Sequence, residues 1–308
     1  MKLVVLAGGV GGAKMAHGFD QVLPAGALTV VVNTADDFEH LGLKISPDVD
    51  TVTYTLAGLA DPVKGWGRAD ETWNCLETLK DLGGPTWFQL GDRDLALHLE
   101  RTRRLARGEP LSSITADICN SLGVHSNVLP MSDDRVSTMV QTAEGELAFQ
   151  TYFVALRCEP EVQGFRFEGI ESAKPASGVM DALSQADLIV FCPSNPWVSI
   201  DPILAVEGIS KLVKQKTVLA VSPIIGGRAL KGPAARMFQQ LGFEASAASV
   251  ARHYQEYLDG FVLDKTDLEL ESEVHGLGAQ VCVTHTVMHD VEDRKKLAES
   301  ILEFALNL

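Results

Sequence analysis

The strongest constraint on the fold of this chain is a local one. A continuous apolar run, Leu3 to Leu6, leads into Gly8-Gly9-Val10-Gly11-Gly12 and then into Ala13-Lys14-Met15-Ala16-His17-Gly18-Phe19, a stretch able to form a helix. Strand, glycine turn and helix open a βαβ unit, and the β-branched run from Leu28 to Val32 closes it. Such units are right-handed and build parallel sheets. The expected fold is therefore α/β: a Rossmann-like, doubly wound, mainly parallel sheet. Glycines let the backbone take positive φ and approach an anion without a Cβ clash, while the following helix points free N–H groups at it. A phosphate fits the loop from Gly8 to Lys14, although the same glycines also suit a plain tight turn. The match to named patterns is partial, because G-x-x-x-x-G-K-[ST] is absent and Lys14 stands where G-x-G-x-x-G requires its third glycine. Position in the first βα turn favours the phosphate reading.

The second strand ends in Val31-Val32-Asn33-Thr34-Ala35-Asp36-Asp37, which places an acid three or four residues too late to hold the ribose of a dinucleotide. Nicotinamide and flavin dinucleotides are disfavoured. Beyond that unit the sequence predicts a single Rossmann-like domain over residues 1–308, with a mainly helical insertion at 51–125 and an antiparallel β segment at 126–172. Core strands resume at Leu188-Ile189-Val190-Phe191 and at Thr217 to Val221. A last strand is expected at Val281-Cys282-Val283, and a terminal helix from Glu292 to Leu306.

With 26 basic and 41 acidic side chains the formal charge is −15, which repels nucleic acid and anionic membrane surfaces and points to small molecules as partners. No apolar run approaches the roughly 20 residues a membrane span needs. Lys2 to Ala7 resembles a signal-peptide core but runs into glycines instead of a cleavage site, and is read as a buried strand. The five cysteines form no C-x-x-C pair and are expected to be buried thiols in a reducing cytoplasm.

In an open parallel sheet, ligands collect at the carboxyl ends of the strands. The loops expected there are Gly8 to Lys14, Asn33 to Asp50, Pro193 to Ser199 and Ser222 to Pro233. Asp36, Asp37, Asp48 and Asp50 bring four carboxylates to one of them, a set of hard oxygen donors suited to Mg²⁺. Any one of the four can instead cap a helix or face solvent, and Asp50 is a candidate N-cap. Arg93, in Leu90-Gly91-Asp92-Arg93-Asp94, can grip a phosphate or pair with a neighbouring acid. Ser194 and Asn195 offer a hydroxyl and an amide for a base and its ribose. Trp66, Trp73 and Trp87 can stack on a flat heteroaromatic ring, although tryptophans more often pack a core. The histidines show no ligand spacing and are expected to be structural. No G-x-S-x-G elbow is present.

Taken in order, the glycine loop, Asn33-Thr34-Ala35-Asp36-Asp37, Ile45 to Thr51, Leu90 to Asp94, Leu129 to Asp134, Pro193 to Pro196 and Val221 to Gly226 resemble one family across about residues 1–260. It is the 2-phospho-L-lactate transferase family of coenzyme F420 biosynthesis. The resemblance implies a cytoplasmic, Mg²⁺-dependent homodimer that joins a guanosine-diphosphate-activated three-carbon acid, lactyl or enolpyruvyl, to the deazaflavin FO (7,8-didemethyl-8-hydroxy-5-deazariboflavin), releasing GMP. By position it implies that Gly9, Gly11, Gly12, Lys14, Asn33, Ser194 and Asn195 hold the nucleotide. Asp37 and Asp50 become the catalytic and metal-binding acids, and Asp50, Gln89 and Arg93 the FO contacts. Gln89 departs from the family, which often has lysine there. The related gluconeogenesis-factor proteins, which bind nucleotide sugars, share the glycine loop and an Asp-Asp pair but follow that pair with a Gly/Ser-rich stretch. Here Phe38-Glu39-His40-Leu41-Gly42 stands instead, which favours the transferase over a regulator that binds without turnover.

Overall fold

The computed structural model describes residues 1–308. Strand β1 (Leu3–Ala7), helix α1 (Gly9–Val22) and strand β2 (Leu28–Val32) form the opening unit, followed by a hairpin of β3 (Phe38–His40) and β4 (Leu43–Ile45). Helices α2 (Pro47–Leu56), α3 (Asn74–Asp81), α4 (Asp92–Leu105) and α5 (Leu111–Ser121) make up the helical insertion, and β5 (Asn127–Pro130) ends it. Strands β6 (Ser137–Thr142), β7 (Gly145–Ala148) and β8 (Val162–Glu168) pair antiparallel in a sheet of their own. The α/β alternation then returns as α6 (Val179–Gln185), β9 (Leu188–Phe191), α7 (Asp201–Ala205), α8 (Ile209–Val213) and β10 (Val218–Val221). A small hairpin, β11 (Ile224–Ile225) and β12 (Arg228–Ala229), precedes α9 (Ala234–Gln240), α10 (Ala247–His253), β13 (Gly260–Asp264), α11 (Glu271–His275), β14 (Gln280–Thr284) and α12 (Val291–Ala305).

Seven strands form one parallel sheet in the order β14-β13-β10-β9-β1-β2-β5. Both faces are covered, so the inner strands are continuous apolar runs instead of alternating ones. Leu3, Val5 and Ala7 point into a core closed by Met15 and Phe19 of α1 and Leu297 and Ile301 of α12. Val4 and Leu6 point into the opposite core with Leu183, Ile209 and Val250. Helix α1 lies so close to α12 that a Cβ on Gly18 would collide with the Arg294 carbonyl.

Two elements differ from the sequence reading. Asn127–Pro130 is the parallel edge strand beside β2, not the first strand of the antiparallel segment, which begins at Ser137. Its four residues carry too little periodicity to tell edge strand from meander. Strand β13 was not expected at all, and it lies fully buried between β10 and β14. No helix is long and apolar enough to cross a membrane.

Candidate active site

The chain leaves β1 for β2 and β5 on one side, and later returns to lay β9, β10, β13 and β14 on the other. The switch point is therefore between β1 and β9, where diverging connections open a crevice at the carboxyl ends of the strands. Two loops line it, Gly8 to Gly12 after β1 and Pro193 to Ser199 after β9. They are stitched together by the Ser194 hydroxyl, which donates to the Gly8 carbonyl at 2.7 Å.

The glycines do two jobs. Gly9 sits at φ +60°, the left-handed region that disfavours a side chain. Gly11 and Gly12 are bare because the neighbouring loop needs the room, since a Cβ would strike the Pro193 carbonyl at the first and the Ser194 hydroxyl at the second. The N-cap of helix α1 is Gly8, which has no side chain to cap the helix, so the main-chain donors of the first turn are left to partners from other loops.

The acid-rich loop faces those donors. Asp48 accepts the Gly9 N–H at 2.7 Å through Oδ1 and the Asn33 amide at 3.0 Å through Oδ2. Asn33 also donates to the Val198 carbonyl at 3.1 Å, so Asn33 and Asp48 together tie the three loops. Burial pushes the Asp48 carboxyl up to about 6, against the pull of the Asn33 and Gly9 hydrogen bonds. Burial likewise raises Asp36 and Asp37 well above the usual carboxylate range, with Asp48 adding repulsion at Asp36. Asp37 accepts the Ser46 hydroxyl at 2.6 Å. Its Oδ1, and Oδ1 of Asp36, are buried with no hydrogen-bond partner.

Asp50 is placed differently. It is not the cap of α2, because Ser46 precedes the helix and Pro47 opens it, leaving Asp50 within the first turn. Both its oxygens are gripped by Arg101 of α4, Nη1 reaching Oδ2 at 3.0 Å and Nη2 reaching Oδ1. Arg101 is 1% exposed. His98, one turn earlier on α4, lies with Nδ1 3.7 Å from Asp50 and Nε2 3.4 Å from Asp94. Asp94 in turn accepts the Tyr54 hydroxyl at 2.6 Å. Burial pushes Asp94 up, but the His98 ring beside it and the hydrogen bond from Tyr54 hold its carboxyl below the usual value. Sequence reasoning set His98 aside as structural and missed Arg101 and Tyr54.

Other expected residues divide between the rim and the scaffold. Lys14 donates to the Met288 carbonyl at 2.6 Å, and burial, Arg294 and Lys231 lower its pKa, so cations gather near the glycine loop of an acidic protein. The Asn195 side chain caps its own loop, accepting the Trp197 N–H at 3.1 Å. Asp92 is held by Asn74, Thr72 and Cys75, which leaves the exposed Arg93 guanidinium without an acid partner. Gln89 lies in a cleft with Lys64, Trp66 and Trp73. Trp87 packs instead in an aromatic cluster with Phe38, His40 and Phe88. Of the cysteines, Cys119, Cys158 and Cys192 are buried as expected, while Cys75 is exposed.

The family model for 2-phospho-L-lactate transferase CofD matches residues 3–305. This chain belongs to that family. Among its relatives, the phosphoenolpyruvate transferase of Streptomyces griseus is 44% identical, covering 99% of this chain and 98% of that protein. The 2-phospho-L-lactate transferase of Methanosarcina mazei is 39% identical, covering 98% and 99%. The fold also matches the crystal structure of a UPF0052-family protein from Bacillus halodurans, with a TM-score of 0.65 at 18% identity over 98% of this chain and 99% of that one. The geometry brings three of the motifs together at the crevice between β1 and β9: the glycine loop, the loop from Asn33 to Asp50 and the loop from Pro193 to Ser199.

Proposed function

We propose that this CofD-family protein transfers a 2-phospho-L-lactyl or enolpyruvyl-phosphate group from a guanosine-diphosphate-activated donor to the terminal ribityl hydroxyl of FO, releasing GMP. The observation that carries the reading is that the main-chain amides of the loop from Gly8 to Gly12 face buried acids of the next loop, with Asp48 bonded to the Gly9 N–H. Amides hold a diphosphate, and acids opposite recruit the cation that neutralises it.

In this reading Gly9, Gly11, Gly12, Lys14, Asn33, Ser194 and Asn195 form the nucleotide cradle. The acceptor oxygen attacks the phosphorus bearing the three-carbon acid, the bond from that phosphorus to the bridging oxygen breaks, and GMP departs with the electron pair. The acceptor proton passes to a carboxylate of the crevice. Positioning and charge neutralisation supply most of the rate in such transfers. No three acidic, histidine or cysteine side chains converge into a ready cage, but Mg²⁺ commonly takes one or two carboxylates and completes its shell with water and phosphate oxygens. The unpartnered Oδ1 atoms of Asp37 and Asp36 fit that demand. Asp50, with both oxygens on Arg101, would ligate only after Arg101 yields one. When bound, the cation would polarise the diphosphate and stabilise the leaving oxygen. Asp50, Gln89 and Arg93 are proposed to face FO, and the protein is proposed to act in the cytoplasm as a homodimer.

The test is direct. Purified protein with Mg²⁺, FO and the guanylylated phospholactate or phosphoenolpyruvate is expected to consume FO and release GMP. If FO survives with both donors, the transferase reading falls, and binding without turnover would support a regulator.

A further inference from the structure

The cleft outside the glycine loop has an unusual occupant. The Lys64 ammonium lies 5.2 Å from the ring centroid of Trp66 and 4.7 Å from that of Trp73. Gly67, Arg68, Glu71, Gln89, Gly91 and Asp94 complete the lining, the Glu71 carboxylate being tied to the Arg93 and Asp94 main-chain N–H groups. With Lys64 in place about 10 Å³ of the cleft is free, room for one water and far too little for a ring. We propose that Trp66 and Trp73 form a clamp for the planar ring of the acceptor, and that this ring displaces Lys64, whose ammonium then pairs with an anionic oxygen at the ring edge.

This inference rests on the transferase reading and assigns the residues that recognise its acceptor. Three observations carry it. A lysine over the exposed Trp66 and the half-buried Trp73 is weakly held, whereas a flat conjugated ring on the same faces gains stacking over its whole area. The Arg68 guanidinium lies 5.5 Å from the Tyr54 ring, and its Nε is buried without an acceptor, so the cleft carries a donor for an oxygen that the protein does not supply. The cleft also leads to the proposed chemistry. Asp94 links it through His98 to Asp50, and a Cβ on Gly65 would lie 3.0 Å from Val10 of the glycine loop. Lys231 fastens the same turn by donating to the Lys64 carbonyl at 2.5 Å. The main chain of Lys64 is thus pinned, and its side chain is the part free to swing. The 8-hydroxyl of FO is conjugated with the ring carbonyls, so its ionisation spreads negative charge over the ring. Lys64 is the cation placed to meet that charge.

The experiment measures affinity by quenching of protein fluorescence, for FO and for riboflavin, which has the same ribityl chain on a neutral ring. Trp66→Ala and Trp73→Ala are expected to weaken both ligands about tenfold or more. Lys64→Met is expected to weaken FO above the ionisation of its hydroxyl about tenfold while leaving riboflavin equal or tighter. Melting temperature and GDP affinity, which report the separate cradle, are expected to stay at wild-type values. Tryptophan variants that bind FO normally overturn the clamp, and a Lys64→Met that affects both ligands alike overturns the charge pairing, in either case with turnover by the wild type intact. A wild type that neither binds nor consumes FO instead brings down the transferase reading.

Discussion

The main-chain N–H of Gly9 and Oδ1 of Asp48 are hydrogen-bonded at 2.7 Å, across a separation of 39 residues. A carboxylate thus occupies a donor that a phosphate would want, and two anions cannot share it without a cation between them. Asp48→Asn keeps an acceptor for Gly9 but removes the repulsion. In the absence of Mg²⁺ it is expected to bind GDP about tenfold more tightly than the wild type, a gain of about 1.4 kcal/mol. Calorimetric titration that finds equal or weaker binding would show that Asp48 does not compete with phosphate.

Arg101 is buried with Asp50 as its bidentate partner. Removing one member of such a pair strands the other charge, which typically costs about 3–5 kcal/mol. Arg101→Met is therefore expected to lower the urea midpoint sharply, and Asp50→Asn in the same chain to restore much of it. Turnover should stay more than about tenfold down in Asp50→Asn alone and in the double variant, because the carboxylate has gone from the site. A double variant no more stable than Arg101→Met would contradict the pairing.

Stability should run against pH in a defined window. Burial raises Asp36, Asp37 and Asp48, the last to about 6, while unfolded aspartates titrate near 3.9. Between those values these three acids bind more protons in the native state than in the unfolded chain, so their contribution to stability falls as pH rises through the window. Without divalent cations the melting temperature is expected to be higher near about pH 5 than near about pH 7.5, and Mg²⁺ to raise it at the higher pH. A melting temperature that climbs steadily from the lower to the higher pH would refute this.

Asp37→Asn offers a second handle on the same acids. It replaces a buried carboxyl that has one unpartnered oxygen, so the metal-free protein is expected to melt no lower than the wild type. Affinity for Mn²⁺, followed by electron paramagnetic resonance, should drop at least about tenfold, since a charged hard ligand has gone. Unchanged Mn²⁺ binding would remove Asp37 from the metal site.

Gly11→Ala tests whether the glycine loop is shaped by its neighbour as well as by its ligand. The new methyl meets the Pro193 carbonyl, and relieving that overlap typically costs about 1–3 kcal/mol. Thermal unfolding should show the loss, with GDP binding weakened several-fold as the two loops part. A variant as stable as the wild type would mean that the loops are not packed as described.

Much of the crevice was legible in the sequence because each loop carries its own signal: glycines after an apolar run, acids after the next strand, Ser194-Asn195 after a third. What escaped was pairing at a distance. Asp50 and Arg101 are 51 residues apart on different helices, and a buried ion pair leaves no periodic trace in either. The roles of Asp48 and Asp50 were also hard to separate by reading. Pro47 starts the helix between them and the strand, and the turn that follows aims one at Gly9 and the other at α4. Strand β13 escaped because it opens on Gly260, where the Leu219 and Phe304 side chains leave no space for a Cβ. Weak strand propensity at that residue hides a position chosen by packing.

Because β1 sits between β2 and β9, the two halves of the proposed nucleotide cradle are made at well-separated times in translation. The loop at Gly8 to Gly12 leaves the ribosome early, yet its partner at Pro193 to Ser199 follows some 185 residues later, by the separation of Ser194 from Gly8. A growing chain therefore carries an exposed, half-built edge strand for most of its synthesis. Fragments that stop before residue 193 would lack the proposed cradle's far wall, and in a cell they would be clients for chaperones instead of binders of nucleotide.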